Sequence, residues 1–592
     1  MSASITRRSA MRFKERTKIM LLILGCFVVA GVFYWMLFAI LSEEPAPLSR
    51  NSVLELTLSG EIPERAAEDP LREALGTAPV LSLQDVLQVI RKAARDEKIV
   101  GILLRPEGML TGWAKVREIR QALEQFKETG KPIYAFLEMA GNKEYYLATV
   151  ADTIVGISTG ILFVNGFLSE PVFLKNTLAK IGIEADFVAH GKYKNAPDMV
   201  TRERMSDAQR EVINAILDQY YEDLVTTLAD ARHLEASTVR AHIDRGLLDM
   251  KKAREAGLVD TLMYYHDLKE YLKEHLGKGT RMVSFNRYKK VPFSRLGISP
   301  KHTLAVVFGV GTIVIGGEEQ FGQDGLITSE GMAASIRKAA EDKEVKAIIL
   351  RIDSPGGSGT ASDVIWREVV RAREKKPVIV SVSDLAASGG YYISMAADTI
   401  VAQPNSLVGS IGVFAGKFAW QGFYRKIGMN VEKITRGRNA DFFSSTGKFT
   451  PEQREILRQF IMDFYQDFIT KVGEGRGMPP EEVDRIAQGR VWTGKQGYEL
   501  GLVDVLGDFQ TAVQIAKEMA GLPPDEPVKL KVYPHLKSFI ERLLESDLST
   551  GISLSVPELQ ALPPVLRNII VALPHFRTGE PLFLLPFDIG VN

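Results

Sequence analysis

Along much of the chain, short apolar runs follow segments in which apolar and polar residues recur with a helical period. The clearest example is the amphipathic segment Ser335 to Ala340, which leads into the apolar run Ala347 to Ile352. Apolar runs of this length are typical of strands buried within a parallel sheet. Four further runs have the same character: Pro132–Phe136, Thr153–Gly156, Pro377–Val382 and Thr399–Ala402. Strands that alternate with helices predict an α/β fold with parallel sheets.

The same pattern occurs twice along the chain. The sequence IRKAARDEKIVGILLR at Ile90 matches IRKAAEDKEVKAIILR at Ile336, at an offset of 246 residues. ADTIV at Ala151 recurs at that offset, and KNA at Lys194 and GLVD at Gly257 recur, with one Lys-to-Arg change, at an offset of 244. Matches in one order at a nearly constant offset indicate a tandem duplication.

The length of 592 residues is too great for one hydrophobic core, so we divide the chain into segments. They are a basic N-terminus over 1–18, an apolar segment over 19–41, a first repeat over 50–280, a linker over 281–301, a second repeat over 302–522 and a C-terminal extension over 523–592.

The apolar segment Ile19 to Leu41 is uncharged and long enough to cross a bilayer as a helix. Basic residues precede it, and Glu43 and Glu44 follow it, which places the N-terminus in the cytoplasm. We predict a retained single-pass anchor in the cytoplasmic membrane, with both repeats on the periplasmic side; a cleaved signal peptide is the alternative. A later apolar run, Pro581 to Ile589, is too short to span and is predicted to be a core strand or a tail contact.

Composition excludes several functional classes. Lys plus Arg equals Asp plus Glu at 73 each, so we expect no nucleic-acid partner. The single cysteine, Cys26, excludes a disulfide within the chain. The sequence has no metal-ligand cluster and no phosphate-binding loop, so we expect no cofactor.

The two repeats differ at the loops that follow their strands, where α/β proteins bind ligands. The second repeat has DSPGGS at Asp353, and small residues surround Ser388 and Ser410 in ASGGY and GSIG. The first repeat has PEGM, GNKEY and FVNG at these places. Adjacent glycines such as Gly356 and Gly357 let backbone N–H groups approach a ligand, as an oxyanion hole requires. The second repeat therefore has an open, glycine-lined site that the first repeat has lost.

At one further loop, the first repeat has the candidate catalytic residue and the second repeat lacks it. The first repeat has GKYKNA, which includes Lys194, where the second has TRGRNA, which includes Arg438. A buried lysine can lose its proton and act as a base, whereas arginine stays protonated. We predict one shared site in which Ser410 is the nucleophile and Lys194 is its general base. No histidine lies between residues 303 and 534, which excludes a Ser-His-Asp triad within the second repeat, and His190 is a minor candidate near Lys194.

Five motifs carry a family resemblance: GKYKNA at Gly191, DSPGGS at Asp353, AASGGYYIS at Ala386, LVGSIGVF at Leu407 and VWTGKQGYELGLVD at Val491. They resemble the signal peptide peptidase A family, also called protease IV, in its long form with two tandem domains. In that family the base lies in G-K-Y-K-S-A, which matches Lys194, and the nucleophile lies in G-S-I-G, which matches Ser410. Asn195 departs from the serine often found there.

The resemblance implies tandem Clp-protease-like, crotonase-related domains after one transmembrane helix. It also implies a membrane-anchored homotetramer whose substrates are cleaved signal peptides, which would make the chain a serine endopeptidase.

Three alternatives stay open. Ser388 is a rival nucleophile, because related enzymes carry the serine in a small-residue loop before a helix. An acyl-CoA hydratase or isomerase on the same fold, or a non-catalytic membrane scaffold, would explain the fold without proteolysis. The sequence also leaves open whether Lys194 meets Ser410 within one chain or between chains.

Overall fold

The structure is a computed structural model that describes residues 48–66, 81–277, 279–322, 325–534 and 580–584, together with Gly31. Of the predicted anchor, Ile19 to Leu41, all residues except Gly31 lie outside the described residues. Within the described ranges, no helix has the length and apolar character needed to cross a bilayer. Both repeats belong to one compact unit, formed by Ser49–Arg65, Leu81–Leu536 and Gly551–Asn592. The described residues lie almost entirely within this unit.

Helices and strands alternate along the described chain. The α-helices are α1 (Leu83–Arg95), α2 (Trp113–Lys127), α3 (Asn142–Ala148), α4 (Lys175–Ile181), α5 (Asp198–Thr201), α6 (Asp207–Arg232), α7 (Ala236–Arg245), α8 (Met250–Glu255), α9 (Tyr265–His275), α10 (Phe285–Lys289), α11 (Ser329–Glu341), α12 (Gly359–Arg373), α13 (Gly389–Ser394), α14 (Gln421–Lys426), α15 (Pro451–Arg476), α16 (Pro480–Ile486), α17 (Gly494–Glu499) and α18 (Phe509–Met519).

The strands are β1 (Ser52–Gly60), β2 (Ile99–Met109), β3 (Ile133–Ala140), β4 (Thr153–Leu162), β5 (Glu184–His190), β6 (Leu248–Asp249), β7 (Thr261–Leu262), β8 (Arg281–Ser284), β9 (His302–Val310), β10 (Thr312–Val314), β11 (Leu326–Thr328), β12 (Val345–Ser354), β13 (Gly356–Ser358), β14 (Val378–Ala387), β15 (Thr399–Ala402), β16 (Leu407–Gly409), β17 (Val413–Ala419), β18 (Val491–Thr493), β19 (Val505–Leu506), β20 (Val528–Tyr533) and β21 (Leu582–Leu584).

Each repeat builds its own mainly parallel sheet. In the first repeat the strand order is β6-β4-β3-β2-β1-β8, with β7 beside β4. In the second it is β18-β16-β14-β12-β9-β20, with β15 beside β14. The central strands are parallel to their neighbours and are covered by helices, which explains their nearly continuous apolar sequence. The predicted α/β fold is confirmed, but each sheet is mixed and not wholly parallel, because the edge strands β6 and β18 pair antiparallel with β4 and β16.

A third sheet joins the two repeats, in the order β11-β10-β13-β21-β17-β5. Strand β5 comes from the first repeat and pairs antiparallel with β17 of the second over seven residues, from His190 opposite Val413 to Glu184 opposite Ala419. Strand β21 comes from the C-terminal extension, so the apolar run at Pro581 supplies a strand, as the sequence predicts.

The predicted linker and extension both contribute to these sheets. Within the linker, β8 pairs with β1 and is followed directly by α10. Within the extension, β20 pairs with β9 over six residues. The terminal strands therefore complete the sheets that the two repeats begin.

Candidate active site

The antiparallel pair β5–β17 brings the Lys194 loop to Ser410. Lys194 lies four residues after the end of β5, and Ser410 lies three residues before the start of β17. Because His190 is directly opposite Val413, both loops leave the pair at the same end. Lys194 and Ser410 thus meet within one chain.

A third segment, from Gln488 to Arg490, holds both loops in place. The carbonyl of Gln488 accepts a hydrogen bond from the Tyr193 N–H at 2.7 Å, and that of Arg490 accepts one from the Ser410 N–H at 2.7 Å. Gly489 lies directly on Lys194, because a Cβ added to this glycine would be 2.5 Å from the Lys194 nitrogen. This close approach requires glycine, and so does the backbone at Gly489, with φ +77°.

Lys194 Nζ contacts two serines. It lies 2.7 Å from Ser388 Oγ and 3.0 Å from both Ser410 Oγ and the Ser410 carbonyl oxygen. Both serines are fully buried, and Lys194 is nearly so. Burial lowers the pKa of Lys194 well below its ordinary value of 10.5, because an ammonium group is poorly stabilised away from water. The site therefore favours the neutral amine that a base requires.

Ser388 occupies a sharp junction between a strand and a helix. It follows β14 directly and is the N-cap residue of α13, with φ 55° and ψ −111°. Non-glycine residues rarely adopt such angles, which cost about 1–3 kcal/mol and persist where the surrounding structure imposes them. The Ser388 N–H donates to the Gly409 carbonyl at 2.7 Å, which anchors the turn. Ser410 also has a positive φ, of 51°.

The paired glycines lie beside Ser388. A Cβ added to Gly389, the next residue, would be 3.1 Å from both the Gly356 Cα and the Gly357 nitrogen. The Gly356 N–H already donates to Ser354 Oγ at 3.2 Å. Of the two predicted glycines, Gly356 therefore has its N–H engaged within its own loop.

A peptide segment of the chain itself runs past this point. Strand β21 lies between β13 and β17 and is antiparallel to both, with Gly357 opposite Phe583 and Phe414 opposite Leu582. The Gly359 N–H donates to the Pro581 carbonyl at 2.9 Å. Helix α13, which Ser388 caps, lies next to both β13 and β21. The groove between β13 and β17 therefore accepts an extended peptide.

A buried charge cluster lies next to the glycine loop and the turn at Ser388. Lys115 of α2 lies 2.7 Å from Asp353 and 3.3 Å from Asp384, measured from Nζ to the nearest carboxylate oxygen. These aspartates lie near the ends of β12 and β14, just before the glycine loop and Ser388. Although burial opposes it, the two carboxylates raise the pKa of Lys115 above its ordinary value, so it is charged. In the same buried region, Arg351 forms ion pairs with Glu64 and Glu118.

The structure brings Lys194, Ser410, Gly356 and Gly357 into one region, and Ser388 joins them there. His190 instead contacts Tyr465, with ring centroids 4.3 Å apart and the ring planes tilted by 50°. Sequence reasoning missed Gly489, for which the neighbouring QGR sequence gives no signal, and Lys115, whose partners are more than 200 residues away.

A family model described as Peptidase family S49 matches residues 125–278 and 371–523. The chain is 36% identical over 487 residues to a chloroplastic serine protease SPPA of Arabidopsis thaliana, covering 81% of this chain and 71% of that protein. It is 33% identical over 565 residues to Protease 4 of Salmonella typhi, covering 91% of this chain and 88% of that protein.

A shorter relative from Enterococcus faecium, whose name gives it as a signal peptide peptidase, is 32% identical over 201 residues, covering 34% of this chain and 57% of that protein. Among solved structures, a membrane-bound stomatin-specific protease, 1510-N, with a substrate peptide is 16% identical, covering 41% of this chain and 97% of that chain, with a TM-score of 0.26.

Proposed function

Because the chain belongs to peptidase family S49, a family of serine proteases, we propose that it is a membrane-anchored serine endopeptidase that degrades cleaved signal peptides. One observation carries the catalytic part of the proposal: a buried lysine amine within 3.0 Å of two serine hydroxyls. A neutral lysine can accept the proton of an adjacent serine, which is the logic of a Ser/Lys dyad.

We propose Ser388 as the nucleophile and Ser410 as the residue that orients Lys194. The sequence favoured Ser410, but three features support the exchange of roles. Ser388 Oγ is nearer to Nζ, its backbone has the strained strand-to-helix turn that is typical of a serine nucleophile, and Gly357 lies beside its neighbour Gly389. Ser410, by contrast, contacts Nζ through both its hydroxyl and its carbonyl oxygen.

In the reactive state we propose that Lys194 is a neutral amine, which its lowered pKa favours. Such a group has two N–H donors and one lone pair. With these donors on the carbonyl and hydroxyl oxygens of Ser410, each 3.0 Å away, the lone pair would accept the O–H of Ser388, whose Oγ lies 2.7 Å from Nζ. The arrangement therefore poises Lys194 to remove the proton of Ser388.

The reaction follows from this geometry. Ser388 Oγ attacks the scissile carbonyl while its proton moves to Lys194 Nζ. The N–H groups of Gly357 and Gly389 stabilise the oxyanion, and Lys194 returns the proton to the leaving amine. Water, deprotonated by Lys194, then releases the acyl group from Ser388 as a free carboxylate.

The substrate would bind as an extended strand between β13 and β17, where the chain's own β21 lies. Backbone pairing of this kind accepts many sequences, which suits degradation of varied peptides. The apolar segment Ile19 to Leu41 would hold the site at the outer face of the cytoplasmic membrane, near cleaved signal peptides. The family resemblance supports assembly as a homotetramer.

Peptide hydrolysis by the full chain in detergent tests the proposal, with Ser388→Ala, Ser410→Ala and Lys194→Ala each shown to be folded. We expect Ser388→Ala and Lys194→Ala to lose turnover by at least about 1,000-fold, and Ser410→Ala to retain a measurable fraction. An acylating serine probe should label wild type and Ser410→Ala but not Ser388→Ala. Labelling that is lost only in Ser410→Ala would restore Ser410 as the nucleophile, and unchanged turnover in Lys194→Ala would overturn the dyad.

A further inference from the structure

Helix α2 of the first repeat contacts the strands of the second repeat that lead into the active site. Its equivalent in the second repeat is α12, which begins 246 residues later and has the same length of 15 residues. The two helices begin differently. The N-cap of α12, Ser358, accepts a hydrogen bond from the Ala361 N–H at 3.1 Å, whereas the N-cap of α2 is Gly112, which has no side chain to offer. The first N–H groups of α2 therefore need an acceptor from another part of the chain.

Asp384 of the second repeat is that acceptor. Its Oδ1 accepts hydrogen bonds from the Ala114 N–H at 3.1 Å and the Lys115 N–H at 3.2 Å. Glycine at position 112 leaves room for the carboxylate, since an added Cβ would lie 2.2 Å from Asp384 Cγ. A carboxylate also suits the partial positive charge of a helix N-terminus. The start of α2 thus fixes a residue that lies four positions before Ser388.

The side chain of Lys115 extends this contact to a second strand. Its Nζ lies 2.7 Å from Asp353 of β12 and 3.3 Å from Asp384 of β14, and the three side chains are only 9%, 11% and 18% exposed. Little water can therefore replace the lysine as a partner. The equivalent of Lys115 in the second repeat is Ala361. As with Lys194, the first repeat has a lysine that the second repeat lacks, and the partners of that lysine lie in the second repeat.

The two aspartates lie at an irregularity in the sheet. Strand β12 pairs in register with β14 as far as Ile352, and the pairing resumes at Ser354. Between these points β14 has three residues, 383–385, opposite the single residue Asp353. Asp353 Oδ1 accepts the N–H of Leu385 from this segment at 3.3 Å. Irregularities of this kind bend a strand and redirect the chain that follows.

Both catalytic loops leave the sheet directly after this irregularity. Gly356 and Gly357 follow Asp353 by three and four residues, and Ser388 follows Asp384 by four. A movement of either aspartate is therefore passed along a few residues to the oxyanion loop or to the turn of the nucleophile. The base comes from a different contact between the repeats, the β5–β17 pair.

We propose that Lys115 is a positioning residue for the proposed reaction. By joining Asp353 to Asp384, it sets the distance between the glycine loop and the turn at Ser388. The role rests on the proposed function, because it assumes that these two loops provide the oxyanion donors and the nucleophile. Lys115 acts through the loops and not on the peptide. A misplacement of about 1 Å between such groups costs about 100-fold in rate.

Steady-state peptide hydrolysis by the full chain in detergent tests this role, with each variant shown to be folded by circular dichroism. In Lys115→Met, we expect kcat to fall by about 100-fold while KM changes by less than about threefold, because the aspartates are misplaced but the substrate strands are kept. Lys115→Arg keeps the positive charge and should recover kcat to within about tenfold of wild type.

The matched control is Glu118→Gln, which lies one turn further along α2. Glu118 is fully buried and also joins the repeats, and its hydrogen-bond partners in the described chain are Arg351 and the Phe509 N–H. This variant weakens a buried ion pair between the repeats without touching either aspartate. It should keep kcat within about twofold of wild type even where it lowers the midpoint of unfolding.

Gly112→Ala tests the same role by a steric change that leaves every charge in place. The backbone at Gly112, with φ −64° and ψ 158°, suits any residue, so the added methyl group acts mainly by displacing the Asp384 carboxylate. We expect kcat to fall by at least about tenfold. The control is Gly447→Ala, where nothing lies within 4 Å of an added Cβ. Should Lys115→Met fail to fold, Gly112→Ala decides the question.

A peptide boronate distinguishes positioning from a merely structural role. The serine oxygen bonds to boron, the serine proton passes to Lys194, and a boron hydroxyl takes the place of the oxyanion. Such an adduct resembles the transition state and uses the glycine loop, which a bound substrate does not yet do. In Lys115→Met, the dissociation constant of the boronate should therefore rise by about the factor by which kcat falls.

A wild-type kcat in folded Lys115→Met or in Gly112→Ala would overturn the proposal. An equal fall of kcat in Glu118→Gln would overturn it too, because any contact between the repeats would then have the same effect. Ser388→Ala, assayed beside these variants, reports on the proposed function itself. Normal turnover in Ser388→Ala refutes that function, whereas lost turnover there with normal turnover in Lys115→Met refutes only the role of Lys115.

Discussion

Gly489 offers a direct test of whether the position of Lys194 controls catalysis. In Gly489→Ala, the added Cβ would lie 2.5 Å from the Lys194 nitrogen and 2.6 Å from its Cα and Cβ. Because nonbonded atoms settle about 3.5–4.0 Å apart, the Lys194 backbone must move by about 1 Å. A displacement of that size costs about 100-fold in rate when it misaligns a catalytic group. We expect kcat to fall by about that factor, with KM little changed because β13 and β17 are untouched.

The same substitution also costs stability, for two separable reasons. The left-handed backbone at Gly489, with φ +77°, disfavours alanine by about 1–2 kcal/mol. Overpacking against Lys194 adds about 1–3 kcal/mol. Gly477→Ala is the matched control, because its φ is +67° and nothing lies within 4 Å of an added Cβ. The control should show the backbone cost alone and retain full activity.

The assay is peptide hydrolysis at saturating and limiting substrate, with chemical unfolding followed on the same two variants. The reasoning fails if Gly489→Ala turns over peptide at the wild-type kcat. It also fails if Gly477→Ala loses activity to the same extent, because the effect would then be one of stability and not of lysine placement.

Four further results are expected. Turnover should rise with pH through the lowered pKa of Lys194, and a rate that falls steadily above about pH 7 would contradict a neutral base. Between that lowered pKa and the ordinary value of 10.5, the unfolded chain binds more protons, so wild type should gain stability over Lys194→Met as pH rises. Deletion of residues 580–592 should raise kcat/KM for short peptides by emptying the groove, and an unchanged value would show that β21 does not compete with substrate. Lys115→Met leaves Asp353 and Asp384 without their counter-charge and should cost about 3–5 kcal/mol in urea unfolding, whereas the exposed control Lys127→Met should cost under about 1 kcal/mol.

The parallel strands could be predicted because their signal is local. The predicted run Ala347 to Ile352 lies inside β12, and Thr399 to Ala402 is β15 to the residue. The pairing of β5 with β17 could not be predicted, since it joins segments more than 220 residues apart and no short-range pattern encodes such a contact. That pairing decides where Lys194 lies.

The residues that form the site could be predicted from the sequence, but the roles of the two serines could not. Reciprocal loss of serine and lysine between the repeats identified Lys194 and the glycine loops as one shared site, and the structure places them together within one chain. The choice between Ser388 and Ser410 as nucleophile depends on the distances from Lys194 Nζ to the two hydroxyls, which differ by only a few tenths of an ångström. It also depends on the backbone angles of Ser388. Neither quantity has a signature in sequence spacing.

Because the site is divided between the two repeats, it can form only after both repeats have been synthesised. Lys194 precedes Ser388 by 194 residues, and the segment around Gly489 that clamps the lysine comes later still. At translation rates of about 5–20 residues per second, the lysine waits roughly 10–40 s for its serine to be made. A nascent chain therefore carries no working protease until its second half has emerged and folded onto the first.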